Sequence, residues 1–196
     1  YGDQQWRNCW TKDGLRWKGD RTEPDKRGGV FDLPNHPVVV VTWYEAVAFC
    51  NWLGHKLGQP VSLPTEAQWE RAARHTDERR YPWGAKITPD HANYDATGIG
   101  TTTAVGIFSK GKSECGALDL SGNVWEWCSS VYQAYPYRVD DGREDLTITD
   151  NRVLRGGSWF LNPYGAAAPA RDLNLPDGRY GDYGFRVVVV GCVPVP

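Results

Sequence analysis

The most informative stretch of this 196-residue chain is Gly116-Ala-Leu-Asp-Leu-Ser-Gly-Asn-Val-Trp-Glu-Trp127. It places one carboxylate at Asp119 and a second at Glu126, between Trp125 and Trp127. Carboxylates and backbone carbonyls are the ligands that a hard cation such as calcium prefers. Acids that accept backbone hydrogen bonds in a buried turn would give the same pattern. On its chemistry alone, the stretch leaves both interpretations open.

Around this stretch, the composition predicts an irregular globular domain. The chain is long enough for one large domain with its own core, and we treat residues 1–196 as a single domain. It contains 10 Trp and 10 Tyr, which suits a loop-rich fold whose rings fill the space between few regular elements. We find neither an internal repeat nor a domain linker.

The charge and the apolar pattern exclude two classes of partner. The net charge is −2, so the chain lacks the basic surface that nucleic acid would require. It has no run of 18 apolar residues and no signal peptide, and we expect no membrane insertion. The chain contains no Met and begins with Tyr1, so we expect that its N-terminus is trimmed and that targeting information is missing.

The cysteines do not form a metal-binding pattern. None of them belongs to a Cys-x-x-Cys pair of the kind that binds zinc; they stand at positions 9, 50, 115, 128 and 192. Five thiols leave at least one unpaired, which favours a reducing, cytoplasmic location. The sequence does not otherwise determine the localisation.

Two helices are predicted from their N-terminal signals. Thr42-Trp-Tyr-Glu45 and Thr65-Glu-Ala-Gln68 are capping boxes, and each opens a helix. We expect the first helix to end at Gly54 and the second near Arg74. The first helix presents one apolar stripe to the core, formed by Ala46, Phe49, Cys50 and Leu53.

Short strands complete the expected elements. Apolar runs bounded by turn residues predict strands at 36–41, 104–108, 152–155 and 185–190. Residues 1–35 are polar and are expected to form an irregular lead-in to a core at 36–190. Two helices, few strands and long loops define an α+β domain.

Seven blocks occur in an order that resembles a known family. They are His36-Pro-Val-Val, Trp43-Tyr-Glu-Ala-Val-Ala-Phe-Cys-Asn-Trp52, Leu63-Pro-Thr-Glu-Ala-Gln-Trp-Glu70, Tyr81-Pro-Trp-Gly84, Gly122-Asn-Val-Trp-Glu-Trp127, Arg155-Gly-Gly-Ser-Trp159 and Gly184-Phe-Arg186. Together they resemble the formylglycine-generating enzyme (sulfatase-modifying factor) family. The resemblance implies that family's variant of the C-type lectin fold: a small twisted antiparallel sheet, two helices and much irregular loop.

The same resemblance indicates that the family's chemistry is missing. Enzymes of the family oxidise a cysteine in sulfatases with two active-site cysteines that bind copper and follow the Arg-Gly-Gly-Ser block. The corresponding positions here are Leu161 and Ala166, and no cysteine occurs between 129 and 191. Because a thiolate pair is the copper ligand, we predict no catalytic residues and no required cofactor.

The resemblance also implies a structural calcium ion in the 116–127 stretch. Carried onto this chain, its ligands are the side chains of Asp119 and Glu126 and the carbonyls of Gly122 and Val124. Such an ion would hold together the loops beneath a binding surface.

Residues 160–183 are predicted to form that surface. Their position and flanks resemble the variable proteins of diversity-generating retroelements, which share this fold and place a diversified segment between an Arg-Gly-Gly-Ser-Trp block and a Gly-Phe-Arg block. That mutagenesis acts on adenines, chiefly in Asn codons, and cannot produce Lys, Glu, Gln, Trp or Met; none of these occurs at 160–184. The ordinary preference of loops for Gly, Asn and Asp explains part of the same bias.

The predicted contact residues fall into two clusters. The first comprises Phe160, Leu161, Asn162, Tyr164 and Gly165; the second comprises Asp172, Leu173, Asn174, Leu175, Gly178, Tyr180, Gly181, Asp182 and Tyr183. Tyr164, Tyr180 and Tyr183 are the expected anchors, because aromatic residues dominate binding hot spots. Arg155, Trp159, Arg171 and Phe185 are expected to be scaffold, with Trp159 and Phe185 substantially buried.

The sequence therefore favours a non-catalytic, receptor-like variable protein that binds an unknown protein or surface ligand. Two alternatives stay open. One is an oxidase of the formylglycine-generating type with altered chemistry. The other is a structural or regulatory domain of a larger protein.

Overall fold

The computed structural model describes residues 1–189 and 191, and within them the chain forms three α-helices and six short strands. The helices are α1 (Lys12–Lys18), α2 (Trp43–Leu57) and α3 (Glu66–Arg74). The strands are β1 (Val61–Ser62), β2 (Trp125–Val131), β3 (Arg152–Arg155), β4 (Arg171–Asn174), β5 (Tyr183–Phe185) and β6 (Val188–Val189). Much of the remaining chain is irregular, as expected for an α+β domain of this composition.

The main sheet has the strand order β4-β3-β2-β5. Strands β2, β3 and β4 pair antiparallel, but β5 lies parallel to β2, with Trp125 beside Tyr183 and Trp127 beside Phe185. The sheet is therefore mixed and not wholly antiparallel. A second, two-stranded antiparallel sheet joins β1 to β6.

Both predicted capping boxes form. The Thr42 hydroxyl accepts from the Glu45 N–H, and the Glu45 carboxylate accepts from the Thr42 N–H at 2.8 Å. Helix α2 does not end at Gly54 but continues to Leu57, where Gly58 adopts a left-handed conformation. Gly54 is instead required for packing, because a Cβ there would lie 2.9 Å from the carbonyl oxygen of Gln59.

Three further expectations about elements were wrong. The lead-in is not irregular throughout, since Thr11 caps α1 and Trp10 and Trp17 pack against the main core. The apolar run at 36–41 forms no strand because Val40 has a φ of 61°, which turns the chain. The strand expected at 104–108 is replaced by a turn at Gly106.

The end of the chain also differs from the expected strand at 185–190. Arg186 and Val187 separate β5 from β6, because the Arg186 side chain turns inward to pair with Glu126. Val190 lies outside the described residues, as does Cys192. Phe49, expected in the core stripe of α2, is exposed and contacts Phe185 at a ring separation of 5.5 Å.

The core is built from aromatic side chains between α2, α3 and the main sheet. Trp43 and Trp127 are fully buried, and each satisfies its indole N–H on a backbone carbonyl, of Cys128 and Val41 respectively. A second cluster places Trp69 of α3 against Leu120 and other buried residues. In the described part of the chain, no helix is long and apolar enough to cross a membrane.

Candidate ligand-binding face

The segment 160–183 is held at both ends by neighbouring strands. It leaves β3 through Gly156-Gly157-Ser158 and ends in β5, and we call β2, β3 and β5 the frame. Its middle is not irregular, because Arg171–Asn174 forms strand β4 and pairs with β3. This edge strand is created by long-range pairing, which the local sequence does not encode.

The first cluster is shaped by one side chain and one glycine. Asn162 Oδ1 accepts from the N–H groups of Tyr164 and Gly165, both at 3.0 Å, and closes a tight turn. Gly157 has a φ of 73°, and a Cβ there would lie 2.4 Å from the Gly165 carbonyl oxygen. The turn therefore presses directly against the Arg-Gly-Gly-Ser block and projects Tyr164 outward.

The second cluster is held by backbone contacts with the segment before α2. The N–H of Val40 donates to the Tyr180 carbonyl oxygen, and the N–H of Trp43 donates to that of Pro176. The side chains of Leu175 and Tyr180 consequently point away from the core. Main-chain hydrogen bonds fix the shape of this part of the segment, and the exposed ring of Tyr180 also contacts the ring of Tyr183 at a centroid separation of 4.9 Å.

Exposure separates the predicted contact residues into three groups. Phe160, Asn162, Tyr164, Leu173, Leu175 and Tyr180 are exposed. Leu161, Gly165, Asp172, Asn174, Gly178 and Gly181 are partly exposed. Only Asp182 and Tyr183 are buried. We call the exposed and partly exposed residues of 160–181 the binding face.

Tyr183 does not lie on the face as an anchor. It is 7% exposed, and its ring packs edge-on against Trp127 at 5.5 Å, because residue 183 belongs to β5 and points inward. Its hydroxyl is positioned to accept from the Asn174 amide at 3.4 Å. Tyr164 and Tyr180, at 73% and 55% exposed, remain available for contact.

Two expected scaffold residues lie at the edge of the core. Trp159 is only partly buried, and its ring meets that of Phe160 at 5.2 Å. Phe185 is also partly buried, beside the exposed ring of Phe49. Trp159 therefore borders the face, although its place in the Arg-Gly-Gly-Ser-Trp block indicates a core residue.

An ion-pair cluster fastens β3 and β4 to α3. Glu66, 1% exposed, binds Arg155 at 3.2 Å and Arg171 at 2.6 Å. Arg155 reaches Glu70 as well, at 2.8 Å. The two arginines behave as scaffold, and Glu66, the first residue of α3, joins them although no local pattern predicts it.

Asp182 and Ser158 bring the two ends of the segment together. Burial raises the pKa of Asp182, and Asp172 raises it further, whereas the Ser158 hydroxyl and Arg27 lower it. Ser158 Oγ and Asp182 Oδ2 are nevertheless both buried without a well-formed hydrogen bond. The Asp182 carboxylate is therefore buried with incomplete hydrogen bonding.

Comparison with known proteins assigns this arrangement to a family. Residues 2–190 match the family described as "Sulfatase-modifying factor enzyme 1-like domain". The chain belongs to this family. The predicted resemblance is thus confirmed, and the match extends further toward the N-terminus than the seven blocks do.

Curated members of the sulfatase-modifying factor family include active and inactive proteins. The chain is 35% identical over 197 residues to a formylglycine-generating enzyme of Thermomonospora curvata, covering 88% of this chain and 61% of that protein. It is 36% identical over 187 residues to a hercynine oxygenase of Mycolicibacterium thermoresistibile, covering 87% and 38%. An "inactive C-alpha-formylglycine-generating enzyme 2" of Bos taurus is 34% identical, covering 81% and 52%. The chain therefore spans less than two thirds of these relatives.

A solved structure supports the expected C-type lectin-type fold. Treponema denticola variable protein 1 superposes with a TM-score of 0.68 and 25% identity, covering 87% of this chain and 79% of that one. The structure titled "PvdO from Pseudomonas aeruginosa" superposes with a TM-score of 0.65 at 24% identity, covering 79% and 62%, and shows the shared fold.

The family resemblance places Leu161 and Ala166 near the positions of the copper-binding cysteines, and both side chains pack against apolar residues here. Ala166 is fully buried in a cluster with Ala92 and Tyr94. Leu161 is partly buried and packs against the main core. Among the described cysteines only Cys115 is exposed; burial raises the pKa of the Cys50 thiol to about 12.

The carboxylate oxygens that are expected to bind calcium already accept hydrogen bonds within the protein. Both oxygens of Glu126 accept from Arg186, at 2.5 and 2.7 Å, and Glu126 Oε2 also accepts from the Trp69 indole at 2.7 Å. Asp119 Oδ2 accepts from the Gly106 N–H, and burial followed by the charge of Glu126 raises the Asp119 pKa. Carboxylates can also bind a cation with their remaining lone pairs. The described residues contain no group of three or more acidic, His or Cys side chains suited to a metal, so calcium here would depend on the Gly122 and Val124 carbonyls.

Proposed function

We propose that this protein is a non-catalytic binding protein and that its binding face contacts a protein or surface ligand. The observation that carries the proposal is the contrast between an outward-pointing aromatic and aliphatic surface and the buried frame that holds it. Phe160, Tyr164, Leu173, Leu175 and Tyr180 are all large and exposed within one short segment. Rigid aromatic and aliphatic side chains of this kind supply contact area at low entropic cost.

The way the segment is held supports its tolerance of change. Asp95, Val40 and Trp43 donate backbone N–H groups to the carbonyls of residues 161, 180 and 176. These bonds do not depend on which side chain each acceptor carries. Since exposed substitutions typically alter stability by no more than about 0.5 kcal/mol, the side chains can vary while the backbone keeps its place.

The comparison with Treponema denticola variable protein 1 supports a diversified role. That protein is named a variable protein and shares the fold over most of both chains. The absence of Lys, Glu, Gln, Trp and Met from 160–184 agrees with diversification at adenines of Asn codons. We therefore assign the segment to the class of variable regions made by diversity-generating retroelements.

An oxidase of altered chemistry is the second candidate, because formylglycine-generating enzymes are 35–36% identical to the chain. Leu161 and Ala166 weigh against it, since neither can supply a thiolate. Incubation with a cysteine-containing sulfatase peptide and copper should yield no formylglycine above a no-protein control. Mass spectrometry that detects the product would establish the oxidase instead.

The binding proposal is tested with two matched libraries. The first randomises Phe160, Tyr164, Leu173, Leu175 and Tyr180 together and keeps Asn162, whose side chain closes the turn; the second randomises exposed apolar positions elsewhere, Val30, Leu57, Val105, Val139 and Leu146. Both should yield mostly folded proteins, because all these side chains are exposed. Selection against a panel of unrelated proteins should enrich specific binders from the first library far more than from the second. Collapse of folding in the first library alone, or equal enrichment from both, would contradict the proposal.

A further inference from the structure

An acidic corner is formed by Asp172, which belongs to the binding face, and by Asp182, which is buried at the edge of that face. Asp172 lies in β4 and Asp182 directly precedes β5, so the strand order of the sheet brings them from separate parts of the segment. They are close enough for the charge of Asp172 to raise the pKa of Asp182. Neither forms a salt bridge within the described residues, in contrast to Glu66 and Glu126. The corner thus holds negative charge that no cation of the frame neutralises.

Asp182 has an oxygen that lacks a donor. The residue is 6% exposed, and its Oδ2 is buried without a hydrogen-bond partner. The neighbouring Ser158 Oγ is also buried and unpartnered. The Ser158 hydroxyl faces this carboxylate and lowers its pKa, yet neither oxygen has a well-formed hydrogen bond. Because buried polar atoms in native proteins are nearly always paired, the carboxylate retains the capacity to accept a further donor.

Arg27 shows what kind of group fits beside this corner. A Cβ added to Gly181 would lie 1.2 Å from Arg27 Nη1 and 2.2 Å from Cζ, so the guanidinium occupies the place of a missing side chain. The guanidinium also packs on the Phe31 ring at 4.0 Å and lowers the pKa of Asp182. It does not donate to Asp182 Oδ2, which stays unpartnered. Glycine at position 181 therefore leaves room for a guanidinium next to the acid without completing its hydrogen bonding.

We propose that this corner receives a cationic group of the ligand, a guanidinium or a primary ammonium. In the free protein, the guanidinium of Arg27 occupies the position of that group. The inference rests on the proposed function and specifies the chemistry of the same face. Charge-assisted hydrogen bonds to a carboxylate are stronger than neutral ones, and exposed aromatic rings nearby add cation–π attraction. Tyr180 supplies such a ring two residues from Asp182.

The experiment uses three small probes on the ¹⁵N-labelled protein: N-acetyl-arginine amide, N-acetyl-lysine amide, and the neutral isostere N-acetyl-citrulline amide. Amide shifts of Gly181 and Asp182 and the indole shift of Trp159 report binding. We expect saturable binding of the arginine probe in roughly the millimolar range. The citrulline probe should bind at least about tenfold more weakly, because it lacks the charge that the carboxylates attract. The lysine probe separates a need for positive charge from a need for the planar guanidinium.

Three variants and one control variant locate the site. Asp182→Asn should abolish the preference for arginine over citrulline, whereas Asp177→Asn, which changes an exposed acid of the same segment, should keep it. Arg27→Ala should tighten arginine binding about twofold to fivefold, because the internal guanidinium no longer competes. Asp172→Asn serves as a second acidic variant, and melting curves check that each variant is folded.

The outcomes distinguish this inference from the proposed function. Equal binding of arginine and citrulline, or an unchanged preference in folded Asp182→Asn and Asp172→Asn, would overturn the cation site while the library test of the face stands. Unchanged or weaker binding in Arg27→Ala would overturn the place-holding role of Arg27. Charge-selective binding together with a failed library test would instead show a cation site on a surface that is not a variable receptor.

Discussion

The binding face and the frame are adjacent in the chain but are stabilised in different ways. In the frame, side chains hold the structure: Trp127 is fully buried, and Arg155 is ion-paired with Glu66. In the binding face, the backbone is held by hydrogen bonds to main-chain carbonyls, while Tyr164 and Tyr180 reach into solvent. A protein that must change its contact residues without losing its fold needs this separation. Residue identity therefore matters most at positions where the side chain itself makes the stabilising contacts.

The largest expected effect on stability is that of a substitution in the ion-pair cluster that joins Arg155 of the frame to α3. Glu66→Gln removes the partner of Arg155 and Arg171 and should reduce the free energy of unfolding by about 3–5 kcal/mol, as for other buried ion pairs that lose one member. Urea denaturation measures the change. Glu114→Gln, which alters an exposed ion pair with Arg79, is the control and should change little. If Glu66→Gln lowered the free energy of unfolding only slightly, side-chain contacts would not be what stabilises the frame.

Tyr180 in the binding face and Tyr183 in the frame allow a direct test of this difference in stabilisation. Tyr183→Ala should cost about 3 kcal/mol of stability, because a buried ring that packs on Trp127 is lost. Tyr180→Ala should change stability by no more than about 0.5 kcal/mol, yet weaken a selected ligand by about 2 kcal/mol. Thermal melting and titration calorimetry give the two quantities. A destabilisation of Tyr180→Ala that equals that of Tyr183→Ala would show that the face is part of the core.

The substitution Asp182→Asn is expected to have a smaller effect on stability, and to stabilise the fold instead of destabilising it. The folded protein raises its pKa above the usual value of 3.8, so the folded state binds this proton more tightly than the unfolded chain does. The ionised group therefore destabilises the fold at neutral pH, and the penalty fades as the pH falls toward 3.8. Asp182→Asn should gain about 1 kcal/mol at pH 7, since an unpaired buried charge is removed.

The pH series of that variant provides its own check. The stability difference between parent and Asp182→Asn should shrink as the pH is lowered toward 4, because the parent carboxyl becomes protonated there. Asp177→Asn should show no such gain at pH 7. A loss of stability in Asp182→Asn at pH 7 would mean that the carboxylate forms a stabilising interaction within the fold.

The smallest expected effect is that of calcium on the 116–127 stretch. Because Arg186 already neutralises Glu126, we expect calcium to bind weakly, and a calcium concentration near the dissociation constant adds only about 0.5 kcal/mol. For a domain of this size that is a shift of about 1–2 °C in melting temperature after chelation and readdition of calcium. Magnesium is the control ion, and Asp119→Asn should abolish the shift. No shift with calcium would leave Arg186 as the sole cation of the site.

The starts of α2 and α3 could be predicted because the capping boxes at Thr42 and Thr65 are local signals. The C-type lectin-type fold and the segment 160–183 were predicted from the resemblance of the seven blocks and of the segment's flanks, and composition only supported the second prediction. The strand β4 within the segment could not be predicted, because pairing with β3 creates that strand and its own residues do not alternate.

The errors at the site have the same physical origin. Tyr183 was expected on the face, but its direction is decided by the parallel pairing of β5 with Trp125, which no short window of sequence specifies. Arg27 and Glu66 were missed because each meets the segment across a long stretch of chain. Trp159 carries the pattern of a core residue, yet Phe160 beside it leads the chain outward, and the ring remains partly exposed.

The parallel pairing of β2 with β5 has a consequence for synthesis on the ribosome. When β2 emerges, the edge that later receives β5 is unpaired, and it stays so until residue 185 has been made. An unpaired, tryptophan-bearing edge is a target for aggregation and for quality-control proteases. A chain that stops within 160–182 lacks β5 and leaves this edge of β2 without its partner strand.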